Sequence, residues 1–143
     1  MTNLLRRFQR LSLLPALAIA ISCENSVSIE PDVLEGSYVA TSFLVTQTGQ
    51  STVDVLAKGG SLTVNIAADS SVTGVLVLPD GIPGAQPGTA DMTGKITRRS
   101  DGAYQFNQIA ETFIKSLVWQ QFTDALVTTS LLVNTQFQIT LRK

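Results

Sequence analysis

Gly60-Ser-Leu-Thr-Val-Asn-Ile66, GSLTVNI, alternates apolar and polar residues without a break. Successive side chains of a β-strand point to opposite faces, so Leu62, Val64 and Ile66 share one face and Ser61, Thr63 and Asn65 the other. A strand of this kind has one face in a core and one in water. Ala68-Asp69-Ser70-Ser71 follows as a turn, and Val72 to Leu78 returns as the partner strand, with Gly74 marking a bend.

The same signals recur on both sides of this pair. Val, Thr, Ile and Phe recur in short runs broken by Gly, Asp, Asn and Pro, and helical periodicity is hard to find. A first strand begins at Gly36. Met92 to Thr97 alternates, Arg99-Ser-Asp-Gly102 has hairpin-turn chemistry, and Ala103 to Gln108 returns with Tyr104 and Phe106 on one side. Thr112 to Phe122 is predicted as one long strand with Phe113, Leu117 and Trp119 on a common face. Ala125 to Leu132 and Thr135 to Arg142 form the last pair, with Phe137, Ile139 and Leu141 inward. Thr52 to Lys58, before Gly59-Gly60, is predicted as a single helical turn ended by glycine rather than a strand. The total is about eight consecutive strands joined mostly by short turns. An antiparallel meander of that length hides its apolar face and both edges by closing into an up-and-down barrel, and a two-sheet β-sandwich is the alternative.

The first residues have a different character. Arg6, Arg7 and Arg10 precede a run from Leu11 to Ile21 that is apolar except for Ser12, and Ala20 and Ser22 are small. This is the order of a secretory signal peptide, and the run is shorter than the roughly 20 residues a membrane-crossing helix needs. Cys23, the only cysteine, follows at once. Ala20-Ile21-Ser22-Cys23 resembles the lipobox of bacterial lipoproteins, with Ala where Leu is commonest. The resemblance implies acylation of Cys23 by fatty acids such as palmitate and cleavage just before it. Glu24 in the next position, instead of Asp, implies the outer membrane. Two or three acyl chains hold a protein stably on a bilayer, whereas one holds it only marginally.

The expected organisation is a signal peptide over 1–22, a lipid-anchored tether over 23–35 and a barrel over 36–143. Residues 24–35 contain four acidic residues and Pro31 and suit a short charged spacer. The mature chain keeps seven basic residues against eleven acidic ones, a formal −4, so nucleic acid is excluded as a natural partner. The size fits one domain with a real core.

Gly36-Ser37-Tyr38 at the start and Leu141-Arg142 at the end enclose Leu56 to Val64, Asp91-Met-Thr-Gly94 and Glu111-Thr-Phe113. The span 36–142 resembles small lipocalin-like domains of the calycin type. That family opens on Gly-x-Trp, with a late Arg packed across the Trp as a plug. The resemblance implies Tyr38 in the Trp position and Arg142 as its cover. It also implies binding of a small hydrophobic molecule, for which Phe43, Tyr104, Phe106, Phe113, Trp119 and Phe137 are the candidate lining.

Catalytic chemistry is hard to assemble from this chain. It has no His, and Cys23 is assigned to acylation. Asp69, Asp80 and Asp101 stand beside turn residues, and Asp54, Glu111 and Asp124 could meet in space although nothing in the spacing requires it. No phosphate-binding or calcium-binding loop is present. The expectation is therefore a non-enzyme without metal or cofactor. Pro79-Asp-Gly-Ile-Pro-Gly-Ala-Gln-Pro-Gly88 encodes successive turns in the one long connection, where lids and contact surfaces tend to lie. The expected function is that of an envelope lipoprotein binding a hydrophobic ligand in a hollow barrel; the alternative is one whose filled barrel contacts an envelope protein through its loops.

Overall fold

The computed structural model describes residues 34–143. The signal segment, Cys23 and the tether up to residue 33 lie outside the described residues. The strands are β1 (Gly36–Gln47), β2 (Val53–Asp54), β3 (Ser61–Ile66), β4 (Ser71–Leu78), β5 (Gly88–Asp91), β6 (Gly94–Arg98), β7 (Tyr104–Gln108), β8 (Gln120–Phe122), β9 (Ala125–Leu132) and β10 (Thr135–Arg142). One antiparallel sheet runs in the order β7-β6-β4-β3-β1-β10-β9-β8, with β2 beside β1 and β5 beside β4. β5 and β6 act as one interrupted strand against β4, since Val75 pairs with Asp91 and Ser71 with Lys95. The path is an eight-stranded up-and-down meander, with its first and last strands paired from Val39–Arg142 to Gln47–Thr135.

Two hydrogen bonds complete the circle. Tyr104 at the start of β7 forms an isolated antiparallel bridge with Trp119, just before β8. The Tyr104 N–H donates to the Trp119 carbonyl at 2.8 Å and the Trp119 N–H to the Tyr104 carbonyl at 2.9 Å. This one bridge shortens the edges that an open sheet would offer to other chains. The fold is a nearly closed, lipocalin-like barrel.

The alternating stretch behaves as its pattern requires. Leu62, Val64 and Ile66 are buried and Thr63 and Asn65 exposed. Gly74 pairs with Val64, and its backbone lies so close to β3 that a Cβ there would fall 2.1 Å from the Thr63 carbonyl oxygen. The turns follow their residues too. The Asp69 carboxylate accepts from the Ser71 N–H at 2.9 Å, and hydrogen bonding from Ser71 holds its carboxyl below the usual carboxylate range. Asp101 accepts from the Ala103 N–H at 3.1 Å.

Two segments depart from expectation. Thr112 to Phe122 is not one strand: a 3₁₀ turn occupies Phe113–Ser116, and strand pairing begins only at Trp119. Glu111 and Lys115, four apart, form an ion pair at 2.6 Å that suits this helical turn better than an extended chain. Val53–Asp54 pairs with Leu44–Val45 as a short strand before the expected turn. The turn itself is present: the Lys58 N–H donates to the Asp54 carbonyl, and Gly59 leaves it at φ +88°.

Candidate functional site

The barrel has two unlike ends. At one end lie the start of β1, the turns 67–70 and 99–103, and the β8–β9 turn, as the pairs Gly36–Ile66, Arg98–Tyr104 and Phe122–Ala125 require. At the other lie the turn 55–60, the Pro79–Gly88 loop, the segment after β7 and the β9–β10 turn.

Between them the interior is packed with side chains. Phe43, Val45, Leu62, Leu76, Met92, Ile114, Leu117, Trp119, Leu126 and Leu141 are all 0% exposed. None of them exposes measurable surface, and of the pocket beneath the loop at the second end they contribute Leu76 to the lining. The six aromatic residues expected to line a binding cup all belong to this packing or its rim. Phe106 meets Trp119 edge to face, with centroids 5.4 Å apart at 84°. Phe113 stacks on Phe137 at 4.4 Å and 17° and tilts against Phe43 at 6.2 Å. Tyr104 is buried beside the closing bridge. Such ring pairs add about 1 kcal/mol each beyond their burial. Phe113 alone is partly exposed, at the rim.

The Pro79–Gly88 loop covers the second end. Ile82 is 5% exposed and belongs to the core, and Ala85 packs against it. Gly84, at φ +69°, approaches so closely that a Cβ there would lie 2.7 Å from the Thr135 Oγ1. Thr135 begins β10, so the loop reaches from the β4–β5 connection to the β9–β10 turn. Composition announces the turns of this loop, but only the apolar Ile82 within them signals its plugging role.

Beneath and beside the lid are two open pockets that share Gly84 and Phe113. One, of about 350 Å³, is lined by Leu78, Ala85, Ala90 and Thr112. The other, of about 290 Å³, is lined by Leu132, Val133, Asn134 and Phe137. Around them the surface is apolar: Val133 is 98% exposed, Ile109 80% and Leu131 68%.

The opposite end is closed by Tyr38, although the expected cover is not the one present. Tyr38 is buried, and its hydroxyl donates to the Leu34 carbonyl at 2.9 Å. Burial first, and then the nearby Tyr104 phenol, push its hydroxyl above the ordinary tyrosine range. The cation over its ring is Lys143, at 5.5 Å from the centroid. Arg142 faces outward and pairs with Asp124 at 2.8 Å. Strand alternation accounts for the correction: with Leu141 inward, Arg142 has to point out. Leu34, which the sequence assigns to the tether, is part of the core.

Among the described residues no group of three or more Cys, Asp or Glu residues could hold a metal ion. Asp54 and Glu111 belong to the lidded end and Asp124 to the other, so these three carboxylates do not meet. Among the described residues two buried side-chain polar atoms have no hydrogen-bond partner, the Trp119 Nε1 and the Gln108 Oε1.

No family model, curated protein or solved structure matches the chain. Its functional reading rests on the geometry above.

Proposed function

We propose that this chain is a bacterial envelope lipoprotein, anchored through acylated Cys23, whose filled barrel is a scaffold that presents its lidded end to a protein partner. The packed interior supports this reading. A hydrophobic ligand inside the barrel would have to displace Trp119, Phe106 or Phe43, which expose at most 1% of their surface. The lidded end instead combines a long loop, a groove around Phe113 and exposed Leu131 and Val133, as apolar contact surfaces do. The anchor rests on the Ala20-Ile21-Ser22-Cys23 resemblance, and the outer membrane on Glu24. No catalytic group takes part.

Two measurements test the scaffold. Trp119 emission should be blue-shifted and unchanged by any fatty acid, retinoid or quinone. Saturable quenching near one ligand per chain would return the function to ligand binding. A photo-crosslinker placed at Gln86 or Val133 in cells should give a discrete protein adduct, while one at Thr63 on the wall gives none. Adducts of equal yield from all three positions would remove the lidded end as the contact surface.

The anchor has its own test. Cys23→Ala should leave the precursor uncleaved and unlabelled by a clickable fatty acid. A mutant that still takes label, or a wild type that never does, refutes lipidation.

A further inference from the structure

Charge is unevenly divided between the two ends of the barrel. Of the seven Lys and Arg residues in the described chain, Lys95, Arg98, Arg99, Arg142 and Lys143 lie at or near the Tyr38 end, and only Lys58 and Lys115 at the lidded end. Four acidic residues share the basic end: Glu35, Asp69, Asp101 and Asp124. Arg99 pairs with Asp101 at 3.2 Å and Arg142 with Asp124 at 2.8 Å. The Arg98 guanidinium lies 6.0 Å from the centroid of the Tyr104 ring. All five basic residues are exposed.

The closing bridge brings a second feature beside them. Because Tyr104 pairs with both Arg98 and Trp119, the β6–β7 and β8–β9 hairpin tips are neighbours across the seam. The second tip carries Phe122, 59% exposed, next to Thr123 and Asp124. An exposed aromatic residue on the hairpin tip next to the one that carries Arg98 and Arg99 is the combination found at the water–lipid interface, where the ring enters the headgroup layer and the cations meet phosphates. The chain also leaves the barrel here: Leu34 is held at this end by Tyr38, and ten residues separate it from Cys23. Ten residues reach at most about 35 Å, so this is the end the anchor holds near the bilayer.

We propose that the Tyr38 end of the barrel rests on the lipid surface, with Phe122 in the headgroup layer and Arg98 and Arg99 on anionic lipid phosphates. The inference rests on the lipidation of Cys23. It gives the molecule an orientation: the lidded end points away from the membrane that carries it.

The test uses the full lipidated chain, in which the Cys23 thiol is consumed and a new cysteine is unique. Thr123→Cys and Val133→Cys, each carrying an environment-sensitive fluorophore, are placed on vesicles of phosphatidylethanolamine and phosphatidylglycerol containing a brominated lipid. The label at position 123 should be quenched several-fold more than the label at 133. The triple change Arg98→Glu, Arg99→Glu, Phe122→Ser should remove the difference while the protein remains bound through its acyl chains. Near-ultraviolet dichroism of Trp119 checks that each variant is folded. Equal quenching at 123 and 133 with the protein bound, or a difference that survives the triple change, overturns the orientation and leaves the anchor standing. A protein that does not partition onto the vesicles at all overturns the anchor, and this inference with it.

Discussion

Gly74→Ala is expected to destabilise the barrel by about 4 kcal/mol, from a strained backbone and an overpacked contact of roughly 1–3 kcal/mol each. The residue adopts φ +149°, a region L side chains rarely enter. Its new methyl group would meet the Thr63 carbonyl, a backbone atom fixed by the β3–β4 ladder that cannot swing aside. The Gly74 carbonyl also accepts the Met92 N–H at 3.0 Å, so a shift of β4 would disturb β5 and β6 as well. Gly49→Ala is the control, because Gly49 has φ +78° but open space around the added carbon. It should lose only the roughly 1–2 kcal/mol of the left-handed conformation. Urea unfolding followed by Trp119 emission measures both. Equal losses would show that the close approach of β3 and β4 is not a constraint.

Val64→Asp should unfold the domain outright. Val64 is 2% exposed, its side chain belongs to the barrel core, and no Lys or Arg is among the buried residues described. A carboxyl placed there must remain unpaired or take up a proton, and either costs several kcal/mol. That is comparable to the whole stability of a domain this size, about 5–15 kcal/mol. One residue earlier, Thr63→Asp should change stability by only about 0.5 kcal/mol. Thr63 is exposed, and its hydroxyl accepts from the Val75 N–H at 3.3 Å, a role an aspartate oxygen can continue. Circular dichroism of the two variants separates the outcomes, and similar damage from both would mean that the outer face of β3 is covered.

Pattern made much of this architecture legible. Strict alternation in residues 61–66 and 135–142 identified both inner faces because a strand has only two sides. Asp69, Asp101 and Gly102 marked turns whose hydrogen bonds they make themselves. In the segment 112–122 the common parity of Phe113, Leu117 and Trp119 suits a strand, yet the chain forms a 3₁₀ turn there. The helical signal there was electrostatic instead, in Glu111 and Lys115. Resemblance to lipocalins puts Arg142 at the plug, whereas the parity of β10 turns it outward. The filled interior was not legible at all. Whether eight strands enclose a space or close upon their own side chains depends on how Phe106, Trp119, Ile114 and Met92 interlock across the barrel, and no local pattern carries that information.

The pairing of β1 with β10 sets the order of events when the chain first folds. Thr41 donates to the Thr140 carbonyl 99 positions away, and the whole of β1 is otherwise flanked only by β3 and the two residues of β2. Contacts between distant parts of a chain form late, because the intervening loop has to lose its freedom first. Strands β3 to β9 can assemble as hairpins while they emerge from a synthesis or export channel, but the cylinder itself waits for the final strand. A chain threaded through such a channel from its amino end therefore stays open and flexible until almost all of it has crossed, and it becomes a rigid body only on the far side.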